Sequence, residues 1–182
     1  MPAPAGPAAT DLRAHIRDIP DFPKPGVGFK DITPLLLDAG ALQAAVQRLA
    51  EPARPLEVDL VVAPEARGFI LGAALAHQIG AGFVPARKPG KLPHETIAAE
   101  YLLEYGPDGL ELHADALASG ARVLVHDDLL ATGGTARALC DLVERLGGHI
   151  VGCAFLIELA ILDGRERLRP HDVQALIAYD GE

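Results

Sequence analysis

Five short apolar runs separated by stretches of helical spacing restrict this chain more than any other feature of its sequence. The runs are 59–63 (DLVVA), 82–87 (GFVPAR), 122–125 (RVLV), 150–157 and 173–178, and helices are predicted over 67–79 and 135–146. Strands without polar alternation must be buried on both faces, which points to a parallel sheet covered by helices. The predicted fold class is therefore α/β, a parallel sheet with helices on both faces. In such sheets ligands enter where the carboxyl ends of the strands open. Hydrophobic residues make up 49% of the chain and aromatics only 4%, so its core must be built from Ala, Leu, Ile and Val.

Around this frame the sequence predicts three further pieces. Residues 1–10 are rich in Ala and Pro and read as a disordered tail, leaving 11–182 as one domain. Within it, 11–37 forms a small N-terminal cap. A helix is predicted over 11–19, with Leu12, Ile16 and Ile19 on one face and Asp11 as cap. An extended segment pinned by Pro23, Pro25, Gly26 and Gly28 follows over 21–31, then a helix over 38–50. Residues 88–118 break the alternation. Pro89, Gly90, Pro93, Gly106, Pro107 and Gly109 surround the alternating stretches 96–105 and 110–113, which predicts a flexible loop and a projecting lid hairpin.

Several functions are disfavoured. No stretch approaches the roughly 18 apolar residues of a membrane span, so no membrane partner is expected. Cys140 and Cys153 lie in alanine-rich surroundings and read as buried thiols of a reducing cytoplasm. His94-Glu95 begins like a zinc helix, but Ala98 stands where the second histidine is needed. The net charge of −9 disfavours nucleic acid. A phosphate-rich substrate would instead require local positive charge or a recruited divalent cation.

The most specific unit is RVLVHDDLLATGGTARAL, residues 122–139. An apolar strand ends in Asp127 and Asp128, and the loop Ala131-Thr132-Gly133-Gly134-Thr135 opens a helix. Consecutive glycines let an anion approach backbone N–H groups, the helix terminus adds partial positive charge, and the threonine hydroxyls can donate. This combination makes a monophosphate cradle, whereas a Gly-Gly turn alone would signify no more than a helix cap. The acidic pair precedes the cradle at the distance of a phosphorylated ribose's diol, and its carboxylates favour positive charge growing on the sugar. Arg67, in EARG just past the first core strand, suits a pyrophosphate, although a solvated arginine would fit the same place. Arg87, Lys88 and Lys91 are the densest basic cluster of an acidic chain. Phe29 can stack on a flat heterocycle or serve as a plain core residue.

Residues 122–139 resemble the phosphoribosyl pyrophosphate motif of type I phosphoribosyltransferases, with His126 where the family's pattern is apolar. DFPKPGVGFKDITPLL (21–36), EARGF (65–69), RKPGKLP (87–93) and LEYG (103–106), in that order, are similar to the adenine branch of that family, and the resemblance covers 12–178. It implies adenine and phosphoribosyl pyrophosphate as substrates, AMP and pyrophosphate as products, Mg2+ bound with the donor, and a homodimer. It also implies a cis peptide at Glu65–Ala66, and that some of Arg87, Lys88 and Lys91 join Arg67 at the pyrophosphate, including across the dimer interface. Gly28, Phe29, Lys30 and Leu159 become the base pocket, with backbone groups reading adenine N1 and its 6-amino group. Glu104, beside Tyr105 of the lid, becomes a candidate for proton exchange, although an ordinary strand glutamate fits too.

Three other readings remain at this point: a regulator that only senses phosphoribosyl pyrophosphate, a receiver-like signalling domain, and the same transfer to another base. The first needs a nucleic-acid-binding element that the short N-terminal stretch cannot hold. The second leaves Thr-Gly-Gly-Thr unexplained.

Overall fold

In the computed structural model, which describes residues 10–103 and 106–181, the N-terminal stretch turns back on itself. The helix predicted over 11–19 does not form. One 3-10 turn (Arg13–His15) leads into β1 (Arg17–Ile19), which pairs antiparallel with β2 (Phe29–Asp31). Pro20 leaves too few residues for a stable helix. Strand pairing also matches opposite charges: Arg17 bonds Asp31 at 2.7 Å and Lys30 bonds Asp18 at 2.5 Å. Apolar spacing misled here because Leu12 alone of its supposed face is fully buried. The short helix α1 (Thr33–Leu37) was not predicted; Pro34 sits in its first turn, where a missing N–H costs nothing. Helix α2 (Ala39–Ala53) starts at Asp38, whose carboxylate accepts the Ala41 N–H at 2.7 Å. A cap of this kind contributes about 1 kcal/mol.

The alternation then appears as predicted. In chain order it runs β3 (Leu60–Pro64), α3 (Arg67–Ile79) and β4 (Gly82–Ala86), then a hairpin of β5 (Thr96–Leu103) and β6 (Gly106–His113). It continues with β7 (Arg122–Leu130), α4 (Gly134–Arg145), β8 (His149–Leu159), the single turn α5 (Gly164–Arg167) and β9 (Val173–Tyr179). The main sheet has the order β4-β3-β7-β8-β9, every pair parallel. Successive side chains divide between its faces. Val61, Leu124 and Ala154 pack with α2 and α3, while Val62, Val123, Val125 and Phe155 pack with α4 on the opposite side. Phe155 is the one aromatic in the buried core among the described residues, as the aliphatic composition requires. No helix there is long and apolar enough to cross a membrane.

Two features differ from the sequence reading. The hairpin does not simply project: Leu110 and Leu112 are buried, Arg145 donates to the Ala98 carbonyl at 2.6 Å, and Arg87 and Glu111 exchange backbone bonds. Its inner half is thus built into the core. Strand β7 also continues five residues past Val125, through the acidic pair, to the Leu130↔Glu158 pairing with β8. Polar side chains were read as a strand end, but the ladder uses backbone groups and tolerates them at the open edge of the core.

His126 lies inside that strand with no solvent exposure. Burial holds it neutral and lowers its pKa to about 4, opposed only by the Ala154 backbone. In an unfolded chain the ring takes its proton near pH 6.5. Folding is therefore opposed as pH falls: the stabilisation is complete above about 6.5 and is lost progressively towards 4, by about 3 kcal/mol. His126→Val should flatten this fall when unfolding free energies are compared at pH 7 and pH 4.5. Identical losses in parent and variant would refute it. The comparison cancels other titrating groups, the aspartates included.

Candidate active site

The carboxyl ends of β3 and β7 bring Arg67 and the Asp127-Asp128 pair together, and Phe29 of β2 meets them there. At the end of β3 the chain turns through a cis peptide at Glu65–Ala66, as expected, and enters α3 at Arg67. The arginine Nε lies 2.9 Å from Oδ2 of Asp128, and its guanidinium sits 4.7 Å above the Phe29 ring. One side chain thus links the acidic pair to the N-terminal ribbon. Phe22 also meets Phe29 edge-on, with ring centroids 5.0 Å apart.

Asp128 is 3% exposed, while Asp127 is partly open and accepts the Asp128 N–H at 2.8 Å. Burial, reinforced by the charge of Asp128, pushes the Asp127 carboxyl well above the ordinary range. Burial also raises Asp128, with the Arg67 guanidinium pulling against it. Such a pair responds strongly to a cationic ligand, because positive charge between or beside two desolvated carboxylates relieves their repulsion. Gly68 is required beneath it: a Cβ there would lie 2.7 Å from Pro64 Cδ and 2.9 Å from Asp127 Oδ1.

After β7, Ala131 and Thr132 lead to Gly133, which caps α4 at φ +80°, and Gly134 begins the helix. Gly133 and Gly134 are buried, while Ala131, Thr132 and Thr135 remain partly open. A left-handed residue directly before a helix turns successive N–H groups into one concavity, the geometry that suits an oxyanion.

The basic cluster is partnered more than the sequence suggested. Glu65 accepts from Arg87 Nη2 at 3.0 Å, Arg87 Nε at 3.2 Å and the Lys88 N–H at 2.6 Å. Burial works against the Glu65 charge, but these donors outweigh it and hold the carboxyl below its usual range. Arg87 further donates to the Lys91 carbonyl at 3.1 Å. Glu65 was overlooked as a site residue, although its place two before Arg67 was a usable signal. At the N-terminal ribbon, the Lys30 ammonium is 4.1 Å from the centre of the Tyr179 ring, and Tyr179 pairs in register with Leu159 at the end of β8. Glu104 and Tyr105 lie outside the described residues.

Similarity to known proteins agrees with this geometry. Residues 35–177 match the family model of the phosphoribosyl transferase domain. The adenine phosphoribosyltransferase of Thermotoga sp. is 57% identical over 93% of this chain and 99% of its own length. The crystal structure of the Thermoanaerobacter pseudethanolicus adenine phosphoribosyltransferase matches with a TM-score of 0.90 and 54% identity, over 92% of this chain and 98% of that one. The Saccharomyces cerevisiae enzyme, crystallised with adenine and an imino-altritol bisphosphate, matches with a TM-score of 0.86 and 38% identity over 91% and 96%. The chain belongs to the adenine phosphoribosyltransferase family.

Proposed function

We infer that this chain transfers the 5-phosphoribosyl group of phosphoribosyl pyrophosphate to adenine, forming AMP and pyrophosphate in purine salvage. The observation that carries the reading is the Asp127-Asp128 pair, held by Arg67 and followed by the Gly133 turn that opens α4. The loop 131–135 receives the 5′-phosphate, and Asp127 and Asp128 accept from the ribose hydroxyls. As the bond from C1 to the pyrophosphate oxygen breaks, positive charge grows on the sugar, and the two carboxylates stabilise it. Adenine N9 forms the new bond to C1 and gives up its proton, for which Glu104 is the proposed acceptor. Arg67, Arg87, Lys88 and Lys91 are the proposed pyrophosphate contacts. Glu65 already orients Arg87 and the Lys88 backbone, which supports their place in that group.

Phe29 and Leu159 would hold the base between them, with the Gly28 and Lys30 backbone reading its edge. The cap of residues 11–37 then closes over adenine, and the part of 88–118 beyond the buried Leu110 and Leu112 supplies the lid. Adjacent carboxylates suit a hard, oxygen-seeking cation. A magnesium ion entering on the donor would neutralise the leaving pyrophosphate and be held mainly by diphosphate and ribose oxygens. A reducing cytoplasm fits the two free buried thiols, whose sulfurs stay 3.9 Å apart. A homodimer is the proposed assembly, which would bring basic residues of one copy to the other's site.

Pyrophosphate release should require adenine, the donor and Mg2+ together. Release that is independent of any base, or that appears only with orotate or guanine, would reject the assignment.

A further inference from the structure

The phosphate loop does not stand alone. Gly133 faces the segment that follows β8: a Cβ on it would lie 2.5 Å from the Gly164 carbonyl oxygen and 3.3 Å from Arg167 Cβ. Gly164 in turn presses on the start of the loop, where a Cβ would collide with the Ala131 carbonyl and lie 3.0 Å from Leu130. The two glycines therefore interlock backbone against backbone, so the position of the 164 peptide sets the shape of the 131–135 turn. The turn that carries it is anchored on its far side by Leu168, fully buried in the core, and on its near side by Arg165. Arg165 donates from Nε and Nη2 to the two oxygens of Glu158, both at 2.6 Å, and from Nη1 to the Val173 carbonyl at 2.6 Å. Glu158 is 5% exposed at the end of β8, opposite Leu130 in register, and Val173 begins β9.

A buried carboxylate answered by a two-pronged guanidinium is among the more rigid contacts a protein can make. Its desolvation makes it weak evidence for a purely stabilising role. Here it clamps a four-residue helical turn, too short to hold itself, against the back of the anion cradle.

We propose that Glu158 and Arg165 are a positioning pair for the 5′-phosphate cradle, acting through the Gly164–Gly133 contact to set affinity for the phosphorylated ribose. Neither touches the substrate. Loosening the clamp lets the Gly164 carbonyl shift and the Gly133 turn relax, which misaligns the N–H groups of the cradle, while Leu159, although next to Glu158, keeps its place through its own pairing with Tyr179 in the β8–β9 ladder.

The inference rests on reading 131–135 as the phosphate cradle, and Thr135→Ala tests that reading separately. Steady-state constants would be measured for Arg165→Met, Glu158→Gln with Arg165→Met, Gly164→Ala and Thr135→Ala, together with inhibition by ribose 5-phosphate and by inorganic pyrophosphate. Gly164→Ala keeps the ion pair and displaces the loop directly, so it still answers if loss of the clamp prevents folding. The clamp variants and Gly164→Ala should raise the donor KM and weaken ribose 5-phosphate inhibition together, by about tenfold, the effect of losing one hydrogen bond to a charged group. The adenine KM and pyrophosphate inhibition should move by less than about twofold, since neither subsite is displaced. Arg165→Lys retains the charge and loses the fork, and should fall between parent and Arg165→Met. If Thr135→Ala raises the donor KM while Arg165→Met and Gly164→Ala do not, the positioning role is wrong and the cradle stands. If none of them affects the donor, the cradle reading fails and the proposal with it. A parallel loss for donor, adenine and pyrophosphate would mark general loosening and also overturn it.

Discussion

Adenine is expected to exceed hypoxanthine in kcat/KM by roughly 10⁴-fold or more, the discrimination available to sites whose buried hydrogen bonds are mismatched by the wrong substrate. The two bases are nearly the same size, so an apolar slot beside Phe29 would separate them poorly. They differ at two adjacent atoms. Adenine offers an N1 acceptor next to a 6-amino donor, and hypoxanthine offers an N1–H donor next to a 6-oxo acceptor. In an extended segment, residues two apart present their N–H and C=O groups to the same side, so Gly28 and Lys30 can act as one reading edge. Gly28 lies just outside the β1–β2 ladder, and apart from its chain neighbours no heavy atom comes within 4 Å of where a side chain would start, so a ligand has room to approach. Hypoxanthine on that edge would set donor against donor and acceptor against acceptor, leaving buried groups unpaired. The Lys30 ammonium is engaged by Asp18 and the Tyr179 ring. Lys30→Ala should therefore keep most of the selectivity while loosening the ribbon. Comparable kcat/KM for the two bases would rule out backbone reading even with transfer itself confirmed.

Asp127→Asn combined with Asp128→Asn should abolish most turnover in a folded protein, since losing one preorganised group that stabilises transition-state charge costs about 10²–10³ in rate. The fold should tolerate the change. Burial already disfavours both charges, so neutral side chains of equal size remove a repulsion more than a support. Arg67 loses its 2.9 Å partner, but it is 40% exposed and can turn towards water. Because both carboxyls are raised, the acid limb of kcat/KM against pH should lie above the ordinary carboxylate range. Activity is present once the pair ionises and falls as pH drops through it. Near-normal turnover in the folded double variant would remove the acidic pair from the mechanism.

What the sequence determined by itself was whatever depends on neighbours along the chain. The alternation of DLVVA, RVLV and the other apolar runs with helical spacing required a parallel sheet, because such strands can only be buried on both faces. Helix α3 appeared at the predicted bounds, and α4 within one residue of its own. The strand–Asp-Asp–loop–helix unit was legible because consecutive residues build it, from β7 through the left-handed Gly133 into α4, which needs only the right residues in the right order.

Only the tertiary structure decided what depends on partners distant in sequence. The stretch 17–19 has helical spacing, yet it becomes a strand because 29–31 is available to pair with it. Strand β7 runs on through Asp128 because β8 continues beside it to Leu159. Glu65 gains its role from Arg87, 22 residues away, and Arg67 from meeting Asp128 and Phe29 together. Gly164 shows no more in the sequence than a turn glycine. Its consequence follows from the Gly133 backbone lying against its carbonyl, a contact that exists only after β7, α4 and β8 have packed. Hydrophobic period and turn chemistry are short-range quantities, whereas the partner of a charge or the neighbour of a missing side chain is fixed by packing.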